Sequence, residues 1–90
     1  MAIIRKLEKR AALQILLYLL NGGASRTDLR KNIDASVDAI YSALSILLKL
    51  GLIKEETLEK FPFSVVVKLT EKGRRIAALL AEIEKILEGL

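Results

Sequence analysis

The sequence predicts an α+β chain, mainly α, in the order helix, helix, helix, strand, strand, helix. Three observations lead there. Apolar residues recur at three- and four-residue spacing in four stretches, and two shorter β-rich stretches lie between the third and the fourth. A hydroxyl residue stands just ahead of three of the helical stretches, at Ser25, Ser36 and Thr70. Glycine follows two of them, at Gly22-Gly23 and at Gly51. Ninety residues is the length of one domain, so residues 1–90 are expected to form a single unit.

The first helix is expected over Ile3 to Leu20, where Ile4, Leu7, Ala11, Ile15 and Leu19 follow helical spacing. From Ala11 onward it is apolar on almost every side, so it needs cover on more than one side. Arg5, Lys6, Lys9 and Arg10 cluster near its start, either as a solvated face or as phosphate contacts. The second helix runs from Ser25 to about Asn32. Ser25-Arg26-Thr27-Asp28 has the form of a capping box, with Leu29 and Ile33 inward and Arg26, Arg30 and Lys31 outward.

The third helix starts after Ser36, with Asp34 as a second candidate cap, and stops at Gly51. Ile40, Leu44 and Leu47 form its apolar face, and Asp38, Tyr41, Ser42 and Ser45 its small polar one. Two helices joined by a tight turn, the second one longer, make a helix-turn-helix unit over 25–50.

Leu52 to Leu58 is expected to be a strand, and Phe63 to Leu69 a stronger one because Ser64-Val65-Val66-Val67 is rich in β-branched residues. Pro62 belongs in the loop between them, since it cannot donate to a ladder. Thr70 then caps a last helix over 70–90. Its residues Ile76, Leu79, Leu80, Ile83, Ile86, Leu87 and Leu90 repeat in an a/d/e heptad pattern. That stripe is wider than one small domain can cover. It predicts a long dimerisation helix, with Ile4 and Leu7 of the first helix joining the interface.

Composition narrows the function. Hydrophobic residues make up 52% of the chain and aromatics only 4%, an apolar excess that favours a homodimer. The net charge of +4 sits entirely in residues 1–49, with eight basic against four acidic residues, while 50–90 balance at seven each. This permits a nucleic-acid partner. There is no cysteine and no histidine, and no glycine-rich phosphate loop or paired-carboxylate cleft. These absences argue against an enzyme, a thiol switch and a typical metal site, so no cofactor is expected. The longest apolar run is too short to span a membrane, and no cleavage pattern follows it, so a cytoplasmic location is expected. Abundant Ile, Leu, Lys and Glu give the chain a thermophile-like composition.

The segment Ser36-Val37-Asp38-Ala39-Ile40-Tyr41-Ser42-Ala43-Leu44, with Leu47 and then Leu50-Gly51-Leu52-Ile53, resembles the recognition-helix segment of winged helix-turn-helix regulators. These include MarR-, ArsR- and PadR-like proteins and many small archaeal DNA-binding proteins. Leu69-Thr70-Glu71-Lys72-Gly73-Arg74 is similar to the motif that follows the wing in the same superfamily. The resemblance implies a wing over 52–69 and binding of double-stranded DNA as a two-fold dimer. Carried over by position, Ser36, Val37, Asp38, Tyr41, Ser42 and Ser45 would face the groove. Arg26, Thr27 and Arg30 would lie near the sugar-phosphate backbone, with Lys31 beside them, and Lys60 would sit at the wing tip.

Two departures from the family pattern stand out. Helix three carries no arginine, and its first lysine is Lys49. Glu55, Glu56 and Glu59 make the wing acidic. The expected function is therefore a DNA-binding transcription regulator whose base discrimination leans on Tyr41, on backbone positioning and on dimer spacing. The alternative is a protein-interaction or assembly module on the same scaffold. No residue pattern marks a pocket for a small-molecule effector.

Overall fold

The computed structural model describes residues 10–58 and 64–89. The expected site residues Ile4, Leu7, Lys60 and Leu90 lie outside these residues, as do the basic residues Arg5, Lys6 and Lys9 and the acidic Glu59. Within them the chain forms α1 (Arg10–Leu19), β1 (Ala24–Ser25), α2 (Arg26–Asn32), α3 (Val37–Lys49), β2 (Ile53–Leu58), β3 (Ser64–Leu69) and α4 (Glu71–Glu88).

The caps foreseen in the sequence are formed. Ser25 and Asp28 make both bonds of a capping box: the Asp28 N–H donates to Ser25 Oγ (3.1 Å) and the Ser25 N–H donates to Asp28 Oδ2 (3.2 Å). Ser36 Oγ accepts from the Ala39 N–H (3.1 Å) at the start of α3. Thr70 Oγ1 accepts from the Gly73 N–H (3.0 Å) at the start of α4. Asp34, the other cap candidate for α3, has a different role. Its N–H donates to Gln14 Oε1 (3.1 Å) and its carboxylate pairs with Arg10 (2.9 Å), so it ties the α2–α3 turn to α1.

Gly51 ends α3 with φ at +73°, a conformation that favours glycine. The Leu52 N–H bonds Leu47 O (3.0 Å) and the Gly51 N–H bonds Leu48 O (3.1 Å). This is the paired arrangement of a Schellman stop.

The sheet has three strands, not the two expected. All pairs are antiparallel and the order is β1-β3-β2. β1 is only two residues long, with Ala24 opposite Val67 and Ser25 opposite Val66. No periodicity exists in two residues, so tertiary pairing alone creates this strand. Gly23 leads into it with little room to spare: a Cβ there would come within 2.6 Å of Val66 Cγ1.

The core lies between the helices and the inner face of the sheet. Ile15, Leu16, Leu29, Ile40, Leu47, Leu52 and Val67 are its largest fully buried side chains. Each removes apolar surface worth about 2 kcal/mol. Ala12, Ala43 and Ala77 have no exposed surface, one on each of α1, α3 and α4, and their small size lets these helices approach closely. No polar or charged side chain is buried among the described residues, so every ionisable group there is available to solvent or to a partner.

Candidate nucleic-acid interface

The burial of Ile40, Ala43, Leu44 and Leu47 fixes the rotation of α3 about its axis. The opposite face is therefore presented outward. Ser36, Val37, Asp38, Tyr41, Ser42 and Ser45 are all exposed, as the sequence predicts. Leu48 joins them at 38% exposure and was not foreseen. Its helical spacing from Tyr41 and Ser45 is the signal that would have found it.

α2 places its charges beside this face. Thr27, Arg30 and Lys31 are exposed, and Arg30 Nη2 donates to Thr27 Oγ1 (3.2 Å), which holds the guanidinium along the helix. Asp28 is engaged in the capping box, so its carboxylate already accepts a backbone N–H.

Arg26, expected near the sugar-phosphate backbone, is engaged within the fold. Its Nη2 donates to Glu55 Oε1 on β2 at 2.6 Å, and its guanidinium carbon lies 5.6 Å from the centroid of the Tyr41 ring. That distance is within range of a cation–π contact. Arg26, Tyr41, Leu44, Ser45 and Leu48 line an open depression on this side of α3.

The acidity of the wing is partly cancelled within the fold. Glu55 is held by Arg26, and Glu56 pairs with Lys68 on β3 at 2.7 Å. The Lys68 ammonium, hydrogen-bonded to Glu56 and adding its charge, keeps the Glu56 carboxyl below the usual carboxylate range, and the nearby Lys54 adds to the effect.

The expected dimer stripe on α4 divides in two. Ile76 and Leu80 are half-buried and pack against the chain's own core. Leu79, Ile83, Ile86 and Leu87 are 60%, 53%, 62% and 64% exposed. An apolar groove between α1 and α4 is lined by Leu13, Leu17, Leu80, Ile83 and Leu87, with Arg10 and Glu84 among the residues around it.

No cluster of metal-ligating side chains occurs among the described residues. No helix among them is long and apolar enough to cross a membrane.

A capped helix α2, a tight turn, an outward-facing α3 and a two-stranded hairpin are now in place. The winged helix-turn-helix family profile matches residues 8–88. The chain belongs to the winged helix-turn-helix family. No curated protein sequence matches it. Solved structures of similar fold include the reduced form of the transcriptional regulator YodB from Bacillus subtilis, with a TM-score of 0.83 at 24% identity, covering 93% of this chain and 83% of that one. A structure described as a transcriptional regulator of the MarR family from Enterococcus faecalis gives 0.83 at 19% identity, covering 98% and 81%. A transcriptional regulator homologue from Pyrococcus horikoshii gives 0.77 at 22% identity, covering 98% and 92%. In this winged helix, the antiparallel pair β2–β3 follows directly on α3.

Proposed function

We propose that this chain is a DNA-binding transcription regulator that grips duplex DNA as a two-fold homodimer. The observation that carries the reading is the outward face of α3, where Val37, Asp38, Tyr41, Ser42 and Ser45 stand clear of the core. In this reading residues 25–50 act as the helix-turn-helix, 52–69 as the wing and 70–90 as the dimerisation helix. Ser36 and the α3 face enter the major groove. Thr27, Arg30 and Lys31 meet phosphates, and Lys60 extends the wing toward the adjacent backbone or minor groove. Arg26 takes part through Tyr41. Leu79, Ile83, Ile86 and Leu87 supply the dimer contact, continued by Ile76, Leu80, Leu90, Ile4 and Leu7. The protein binds; it does not catalyse, and it works in the cytoplasm.

Selection from a random duplex pool at two salt concentrations tests this. Two recognition helices about 34 Å apart should enrich half-sites spaced by one duplex turn. With about three phosphates neutralised per subunit, log affinity should fall against log salt with a slope near −5. Absence of salt-sensitive duplex binding overturns the reading.

One observation favours a second reading. Val37, Tyr41 and Leu48 give the outer face of α3 an apolar character suited to a protein partner. In that case Ser42→Glu leaves function intact and a protein co-purifies with the chain.

A further inference from the structure

Arg26 and Glu55 are separated by 29 residues, yet they meet where α2, α3 and β2 converge. Arg26 is the first residue of α2, and Glu55 lies on β2 opposite Val67 of β3. β3 also pairs with β1, the strand that runs directly into Arg26. The sheet register therefore sets both ends of the contact. The guanidinium and carboxylate sit at 2.6 Å with side-chain exposures of 42% and 29%, so both remain within reach of a docking surface.

Arginine is the side chain best suited to phosphate, because its planar fork matches the paired oxygens. Glu55 Oε1 takes the Arg26 Nη2 donor, one arm of the fork that a phosphate oxygen would otherwise engage. Its second effect concerns Tyr41. The same bond keeps the guanidinium carbon 5.6 Å from the Tyr41 ring centroid, which restrains the one aromatic side chain on the outer face of α3.

We infer that Glu55 is a specificity-determining residue: it withholds Arg26 from phosphate and uses it as a brace that orients Tyr41 toward the bases. The inference rests on the DNA-binding reading given above. A phosphate contact strengthens binding to every sequence alike, whereas an oriented Tyr41 discriminates between sequences. Engaging Arg26 with Glu55 thus lowers affinity for arbitrary DNA and sharpens preference. It also gives the acidic wing a purpose that simple phosphate attraction does not.

The test compares the full-length chain with Glu55→Gln, Arg26→Gln and the double variant, each checked for folding by circular dichroism. Binding to a selected duplex and to a random-sequence duplex is measured across salt. In Glu55→Gln the freed Arg26 finds a phosphate. The slope steepens by about 0.9 per subunit, and random-sequence affinity between 50 and 200 mM salt falls by roughly tenfold more than for the parent dimer. The double variant returns to the parental slope, because the gain requires Arg26. Arg26→Gln alone keeps the parental slope but loses preference for the selected duplex. An unchanged slope in Glu55→Gln, or a shallower slope in Arg26→Gln, overturns the inference while leaving the DNA-binding reading standing. A parent chain with no salt-sensitive duplex binding removes the reading itself.

Discussion

Gly73 is the position at which one added methyl group should do the most damage. It lies in the first turn of α4, and a Cβ built there would overlap the Leu52 carbonyl oxygen and come within 2.7 Å of the carbonyl carbon and 3.1 Å of Cα. These are backbone atoms, so no side chain can swing away. The Leu52 carbonyl is also committed: it accepts from the Thr70 N–H at 3.0 Å. Beside it, Thr70 Oγ1 donates to Gly51 O at 2.6 Å and caps Gly73 itself. Moving α4 outward to admit the methyl group therefore strains three hydrogen bonds at once. Overpacking of this kind costs about 1–3 kcal/mol, and the weakened bonds add about 1 kcal/mol each at most. Alanine returns about 1 kcal/mol through its better helix propensity. The expected net loss for Gly73→Ala is about 2–3 kcal/mol. A chain of this size has a total of about 5–13 kcal/mol, so the thermal midpoint should fall by about 10–20 °C. Chemical and thermal unfolding followed by far-ultraviolet circular dichroism measures both. Gly89→Ala is the control, because its nearest neighbours would lie at 3.5 and 3.6 Å, an ordinary contact distance. A Gly73→Ala protein as stable as the parent, or more stable, would refute the reasoning.

Three further outcomes follow from the surface. Ile83→Glu should weaken the proposed dimer by a hundredfold or more, because burying isoleucine contributes about 1.5–3 kcal/mol and a two-fold interface uses it twice; sedimentation against concentration reads the effect, and a parent chain that is monomeric throughout sinks the premise. Arg30→Gln should make the DNA salt slope shallower by about 0.9 per subunit and weaken all duplexes nearly equally; loss confined to one sequence contradicts a phosphate role. The Lys68 ammonium, by its hydrogen bond and its charge, holds the Glu56 carboxyl pKa below its ordinary unfolded value. Its ion pair therefore stabilises the fold above that value and fades as the pH falls through the lower folded value. Glu56→Gln should flatten the acid limb of a urea-midpoint profile, and an unchanged limb counts against the pairing.

The parts of the fold written in local chemistry were legible in the sequence. Ser25, Ser36, Thr70 and Gly51 mark their helix ends because capping involves residues within one turn of each other. The start of the first expected strand moved only by a residue, from Leu52 to Ile53, while Phe63, the expected start of the second, lies outside the described residues. What local reading missed depends on distant partners. β1 exists because β3 offers an edge to Ala24 and Ser25. Asp34 looked like a cap, but Arg10 and Gln14 lie 24 and 20 residues away and claim it. The α4 heptad pattern is also ambiguous from within, since Ile76 and Leu80 satisfy it while packing on their own core. At the candidate interface, the outward set on α3 follows from helical period alone. The tie between Arg26 and Glu55 needs the sheet register and was out of reach.

The two residue pairs of β1 have a mechanical consequence. β3 sits at the centre of the sheet, bonded on one side to the hairpin strand β2 and on the other to the strand that opens α2. The hairpin and the first turn of α2 are thus tied at two places, by the β1–β3 pairs and by the Arg26–Glu55 bond, beside which the Tyr41 ring stands. Under the proposed function, hairpin and α3 would then meet DNA as one unit, so that a variant cutting either tie would change how the two are aimed relative to each other.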